Sequence, residues 1–281
     1  MTLEGHRRSA QWAQADGAVV ECQFAGDPRQ AYYLCLPSGL RADAPVLVCV
    51  HGISRNAEEH IRYFAPLAQQ RGVVVVAPLF PRAEFPDYQR LGRAGRGRRA
   101  DLALHDILAE VHRRASVAVD KVYLFGHSGG AQFVHRYVMA NPAGVAGFVI
   151  SAAGWYTHPA PDLPFPFGIG PDPLLPDLHF DPDAFLRVPG CVLVGERDTR
   201  RGRSLRTAAP IDAAQGRTRL ERAGRWAEAM NRAAVQRRLP PPLDLHVLPR
   251  SGHRFAEVAT RGGAPGRVFD CLFGPAAVGA A

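Results

Sequence analysis

One lysine, Lys121, stands among 281 residues, although lysine and arginine together number 34 and the formal net charge is +8. Positive charge is therefore almost wholly arginine, an imbalance that reads as an effect of nucleotide composition. The densest basic stretch, Arg90-Leu91-Gly92-Arg93-Ala94-Gly95-Arg96-Gly97-Arg98-Arg99, contains no aromatic residue. A nucleic-acid surface needs aromatics interleaved with its cations, so no nucleic-acid partner is expected. The stretch is expected to be a solvated, mobile, glycine-rich loop, with attraction of anionic substrates as a lesser role.

Apolar runs are short. None is long enough to cross a bilayer, and Met1 to Arg8 lacks the hydrophobic segment of a signal peptide, so neither membrane insertion nor secretion is expected and the cytoplasm is the default. Cysteine is scarce as well. Cys22, Cys35, Cys49, Cys191 and Cys271 are odd in number and show no metal-ligand spacing, so neither a bound metal nor a disulfide framework is expected. Cys22 and Cys35 could face each other across a hairpin, where a disulfide is possible but not expected in a reducing compartment. No internal repeat is visible, and the sequence sets no oligomeric state.

What is present is chemistry at a turn. Lys121-Val122-Tyr123-Leu124-Phe125 reads as a short buried strand, Gly126-His127-Ser128-Gly129-Gly130 fits the G-x-S-x-G nucleophile elbow, and Ala131 to Ala140 carries apolar residues at helical spacing before Asn141-Pro142. A serine alcohol is a poor nucleophile unless a tight strand-to-helix turn presents its Oγ to a base and to backbone N–H groups. Ser128 is therefore the candidate nucleophile, against the bland reading of an ordinary glycine-rich turn. Side chains at Gly126 or Gly130 would collide with a backbone folded back so sharply.

A serine of this kind needs a carboxylate and a histidine, in the chain order Ser, Asp or Glu, His. Beyond the strand-like Cys191 to Gly195 lies Glu196-Arg197-Asp198-Thr199. Asp198 is the preferred acid; Glu196 competes but sits one residue past the strand's glycine. A surface carboxylate paired with Arg197, Arg200 or Arg201 is the structural alternative. Near the C-terminus, Leu243 to Leu248 alternates as a half-buried strand and runs into Pro249-Arg250-Ser251-Gly252-His253. His253, on that loop, is the candidate base, whereas His246 lies within the strand. For the oxyanion, donors are expected from the N–H groups of Gly129 and Ile53, the latter after Pro45 to Val50 and His51-Gly52, with Ser54 next in line. That same turn could equally be a plain strand-to-helix connection capped by Ser54 or Asn56.

On these residues the chain resembles the α/β-hydrolase superfamily over almost its whole length: His51-Gly52, the Gly126 to Gly130 elbow, Asp198 and His253. Within it the short-loop plan is most similar to compact bacterial esterases of the dienelactone hydrolase, polyhydroxyalkanoate depolymerase or feruloyl esterase type. The resemblance implies an acyl-enzyme mechanism with no metal and no organic cofactor. Ser128 stands where dienelactone hydrolases carry cysteine, and the H-G-G-G loop of lipases is missing.

The expected fold is α/β, a doubly wound, mostly parallel sheet over residues 1–281 as one domain. An N-terminal hairpin, Ala18 to Phe24 and Ala31 to Leu36, forms the antiparallel edge, and strands and helices alternate thereafter. Residues 153–189 break the alternation with prolines too dense for a helix or central strand. This excursion is expected to act as a cap, with Trp155, Tyr156, Phe165 and Phe167 lining an acyl site and Phe85 and Tyr88 facing them. A surface loop packing its own aromatics is the alternative.

The function expected is hydrolysis of carboxylic esters, small or polymeric. Amidase, peptidase or acyltransferase chemistry would use the same residues. From a different class, a binding protein could retain the scaffold without turnover.

Overall fold

Val46–Val50 (β3) and Val74–Pro78 (β4) are apolar and buried at every position, as strands covered on both faces must be. In the computed structural model, which describes residues 17–275, they lie inside an eight-stranded sheet ordered β1-β2-β4-β3-β5-β6-β7-β8. The remaining strands are β1 (Val19–Gln23), β2 (Ala31–Cys35), β5 (Val122–His127), β6 (Val145–Ser151), β7 (Gly190–Gly195) and β8 (Leu243–Leu248). β1 pairs antiparallel with β2, and β2 antiparallel with β4; every pairing from β4 to β8 is parallel.

Alternation along the strands divides the core in two. Val46, Val48 and Val50 face a cluster built with α2 (Ala100–Ala115), α3 (Gly129–Ala140) and α6 (Arg219–Gln236); Leu47 and Cys49 face one built with α1 (Ala57–Arg71), α7 (Phe255–Thr260) and α8 (Ala264–Phe273). Between β6 and α6 come two short helices, α4 (Pro182–Phe185) before β7 and α5 (Ala209–Gln215) after it. The chain leaves β3 toward β4 through α1 and returns through α2 to β5 on the other side of β3. Strand order thus reverses between β3 and β5, and such a switch point opens a crevice at the strands' carboxyl ends.

Two expectations change. Cys35 pairs with Val19 and Cys22 with Tyr32, so the two cysteines are not cross-strand partners; an odd offset sends them to opposite faces, into different core clusters. The arginine-rich loop is latched rather than free. Arg93 and Arg96 pair with Asp87, Arg98 with Asp27, and Arg99 with Asp101 and Asp177.

Candidate active site

Ser128 follows β5 directly and precedes α3, with φ 55° and ψ −110°, a conformation that L-residues rarely adopt. The turn is tight enough to demand glycine on both sides. A Cβ at Gly126 would fall 2.3 Å from the Gly130 carbonyl oxygen, and one at Gly130 only 2.0 Å from that of Val50. The Ser128 N–H donates to the Ser151 carbonyl at 2.8 Å, tying the turn to β6. The serine is consequently lifted to the carboxyl edge, on the wall of a cavity of about 360 Å³.

His253 reaches the same cavity from the loop after β8. Ser128 Oγ lies 3.1 Å from its Nε2, and its Nδ1 lies 2.8 Å from Oδ2 of Asp198, which sits in the loop after β7. With Nδ1–H donating to the carboxylate, Nε2 is left to accept from the serine hydroxyl. Asp198 is buried, and its other oxygen lies 3.4 Å from Nη1 of Arg219, itself buried. Arg219 Nη2 goes on to Ser204 Oγ at 3.0 Å. Glu196, the competing acid, is exposed and accepts the Arg250 N–H instead. His246 lies inside β8, its Nε2 3.8 Å from Cys271 Sγ.

Three further side chains hold these groups in place. His127 stands between Ser151 Oγ at 3.1 Å and the His253 carbonyl at 2.9 Å, so its Nε2–H donates to the backbone of the residue it fixes. Burial, and then the neighbouring His253, push its imidazole down to about 3, which keeps it neutral. His51 accepts the Phe80 N–H on Nε2 at 3.0 Å and donates from Nδ1 to the Gly52 carbonyl at 2.9 Å, and burial pushes it down to about 4. Arg55 lies 4.1 Å over the Tyr88 ring and donates to the Phe80 and Phe85 carbonyls.

That framework carries the Gly52-Ile53 turn. Ile53 is exposed on the cavity wall with Gly52 and Ser54, and Gly129 begins α3 directly opposite, close to the Ile53 side chain. Neither the Ile53 nor the Gly129 N–H has an acceptor among the described residues. Asn56 occupies the N-cap position of α1 without making a side-chain cap; it accepts from Ser54 Oγ and donates to Glu59.

The expected pocket aromatics are elsewhere. Among the residues lining the cavity beside Ser128, none of Trp155, Tyr156, Phe165, Phe167, Phe85 or Tyr88 appears. Tyr156 is fully buried and stacks on Trp226 of α6 at 4.9 Å. Trp155 packs on Phe167 and under the Arg136 guanidinium of α3 at 4.3 Å, and Phe165 packs on Phe180. Thr157 explains the anchoring: its hydroxyl accepts from Arg136 Nε and donates to the Pro166 carbonyl, while its own carbonyl takes the Trp226 N–H. The proline-rich excursion therefore docks on α3 and α6. Phe85 is fully buried with Phe80, and Tyr88 lies beneath the site, donating its hydroxyl to the His51 carbonyl at 3.0 Å. The cavity wall is instead His60, His127 and Phe255 with polar residues from the Gly52 turn, and the His60 ring stacks on Phe255 at 3.7 Å.

Among the described residues, one group offers three metal-ligating atoms together: Cys191, His246 and Cys271, within 4.8 Å of one another. Spacing along the chain hides it, because β7, β8 and α8 each supply one member. None of the three lines the cavity at Ser128.

The alpha/beta hydrolase family profile matches residues 47–264, which span both the Gly52 turn and His253. The chain belongs to the alpha/beta hydrolase family. Hydrolysis is the class of activity that this membership supports. No curated protein sequence matches the chain. Among solved structures it is similar to LpqC, a poly(3-hydroxybutyrate) depolymerase from Bordetella parapertussis, at 26% identity over 94% of this chain and 92% of that one, with a TM-score of 0.74. Poly(aspartic acid) hydrolase-1 from Sphingomonas sp. KT-1 superposes with a TM-score of 0.76 at 23% identity, covering 90% of this chain and 99% of that one. A ferulic acid esterase shares the fold at 16% identity and a TM-score of 0.58, over 91% and 96% of the two chains. No helix among the described residues is long and apolar enough to cross a membrane.

Proposed function

We propose that the protein is a serine hydrolase that cleaves carboxylic esters through an acyl-enzyme. The observation that carries this reading is the unbroken relay from Ser128 Oγ through His253 to Asp198, with contacts of 3.1 and 2.8 Å at the carboxyl edge of the sheet. Likeness to a poly(3-hydroxybutyrate) depolymerase and a ferulic acid esterase supports an ester as the bond attacked.

Ser128 Oγ attacks the ester carbonyl while His253 Nε2 takes its proton. Asp198 holds the resulting imidazolium through Nδ1–H and stays ionised. The carbonyl oxygen becomes an alkoxide that accepts from the N–H groups of Ile53 and Gly129. Collapse of the tetrahedral adduct breaks the bond to the alcohol oxygen, which leaves with the proton from His253. Water then attacks the acyl-Ser128 ester with His253 again as base, releasing the acid and restoring the hydroxyl.

A fluorophosphonate probe tests the nucleophile, and a series of nitrophenyl esters with matched anilides tests the bond. Labelling of the native protein that disappears in Ser128→Ala, together with ester rates well above anilide rates, is expected. Labelling that persists in Ser128→Ala would show another nucleophile. Faster anilide cleavage would make the enzyme an amidase.

A further inference from the structure

Two cavities meet at His253. The one beside Ser128 shares Ser204, His253 and Arg254 with a second, of about 390 Å³. Six arginines line this second cavity: Arg197, Arg200, Arg219, Arg250, Arg254 and Arg261. Its two carboxylates are already engaged, Asp198 with His253 and Arg219, and Glu257 with the Gly252 N–H at 3.2 Å.

The contrast with the 90–99 loop is informative. There Arg93, Arg96, Arg98 and Arg99 are matched by Asp27, Asp87, Asp101 and Asp177. Here Arg197, Arg200, Arg250, Arg254 and Arg261 are exposed and make no side-chain ion pair among the described residues. The sixth, Arg219, is buried, and its Nε has no hydrogen-bond partner. Like charges crowded around a concave surface repel one another unless an anion sits among them, and such clefts draw anions in. A guanidinium also offers the paired donors that a carboxylate accepts.

Position relative to His253 says which part of a substrate the anion belongs to. The leaving oxygen must come within hydrogen-bond reach of His253 Nε2 to take its proton. The acyl carbonyl, in contrast, is turned toward the Ile53 and Gly129 N–H groups across the first cavity. The residues that the two cavities share, Ser204, His253 and Arg254, put the arginine-lined cavity on the His253 side of the site, the side to which the departing group goes.

Building on the esterase reading, we propose that the second cavity is a leaving-group subsite for a carboxylate, so that the preferred substrates are esters formed through the hydroxyl of a hydroxy acid. The arginines hold the free carboxylate of the departing hydroxy acid, and the adjoining cavity holds the acyl group. Hydrolysis then yields two carboxylic acids from one ester, and the hydroxy acid is the product that leaves past Arg254.

Para-acetoxybenzoate and the neutral para-acetoxybenzamide have the same acyl group and differ in charge on the leaving group. With each rate normalised to its uncatalysed hydrolysis, the native enzyme should favour the anionic ester in kcat/KM on the order of tenfold, a preference that shrinks as salt rises. The triple variant Arg197→Gln, Arg200→Gln, Arg261→Gln should bring the ratio toward unity. Independently of turnover, titration calorimetry of para-hydroxybenzoate into Ser128→Ala protein should show binding that the same three substitutions weaken about tenfold. Equal normalised rates for the two esters, or no binding of para-hydroxybenzoate, would overturn the subsite while fluorophosphonate labelling of Ser128 still upholds the esterase. Loss of that labelling would instead remove the reading beneath it.

Discussion

Arg219 sits directly behind Asp198, its Nη1 3.4 Å from Oδ1, while the opposite carboxylate oxygen takes the Nδ1–H of His253 at 2.8 Å. Both partners of the pair are 2% exposed. Arginine at the first position of a helix is usually solvated; here the loop after β7 closes over it. The carboxylate that orients the imidazole is thus itself held by a buried cation, and burial in turn lowers the pKa of the Arg219 guanidinium from its ordinary value.

Removing one member of such a pair leaves the other charge buried and uncompensated. Arg219→Met is expected to lower the unfolding free energy by about 3–5 kcal/mol. Asp198→Asn should keep the geometry but reduce kcat by about 10⁴-fold, since an amide can hold the wrong imidazole tautomer. In the Asp198→Asn background, Arg219→Met should cost less by about 1–3 kcal/mol, read from urea unfolding of the four proteins in a double-mutant cycle. Strict additivity would show that the two side chains do not interact.

The elbow stores strain that can be measured. Ser128 has φ 55°, and the surrounding backbone leaves no room to relax it. Glycine adopts such a conformation freely, whereas alanine keeps the Cβ that makes it costly. Ser128→Gly and Ser128→Ala both lack the hydroxyl, yet the glycine variant should be more stable than the alanine variant by about 1 kcal/mol in urea unfolding. The reverse order would mean that the turn is not strained at this residue.

Much of this arrangement is legible in the sequence. Strands of Val, Leu and Cys buried on both faces, separated by helical periods, dictate a parallel sheet, and loops after its strands must open on one edge. That is why Ser128, Asp198 and His253, each just past a strand, meet. Their supports are hidden for a physical reason: Arg219 is an ordinary helix cation until a loop covers it, and His127 and His51 become structural only where a backbone carbonyl comes into reach. The proline-rich excursion misleads in the opposite way. Prolines forbid regular structure, but composition does not say which way Trp155 and Tyr156 turn, and Arg136 and Trp226 decide it from helices distant in sequence.

Metal removal separates two parts of the molecule. Cys191, His246 and Cys271 lie together but away from the cavity at Ser128, whose relay needs no electrophile beyond backbone N–H groups. Dialysis against a strong chelator should leave kcat/KM for a nitrophenyl ester unchanged. A loss restored by added zinc would place a metal in the reaction and require a different mechanism.

The buried histidines predict how stability responds to acid. His127 and His51 are held down to about 3 and about 4 by burial, and His60 and His135 are pushed the same way by the same cause. In the unfolded chain each takes up a proton near about pH 6.5, whereas in the folded protein it resists protonation until far lower pH. Below about 6.5 the unfolded state therefore binds more protons, so the stabilisation is fully present above that pH and drains away as pH falls. For His51 the loss levels off near about 4 and for His127 near about 3, with a slope of up to about 1.4 kcal/mol per pH unit for each histidine. Urea midpoints measured from about pH 7 down to about pH 5, above the range where most carboxylates titrate, should decline steadily. A flat midpoint across that window would mean that these imidazoles take up protons in the native protein over the same range as in the unfolded chain, so that burial does not hold them neutral.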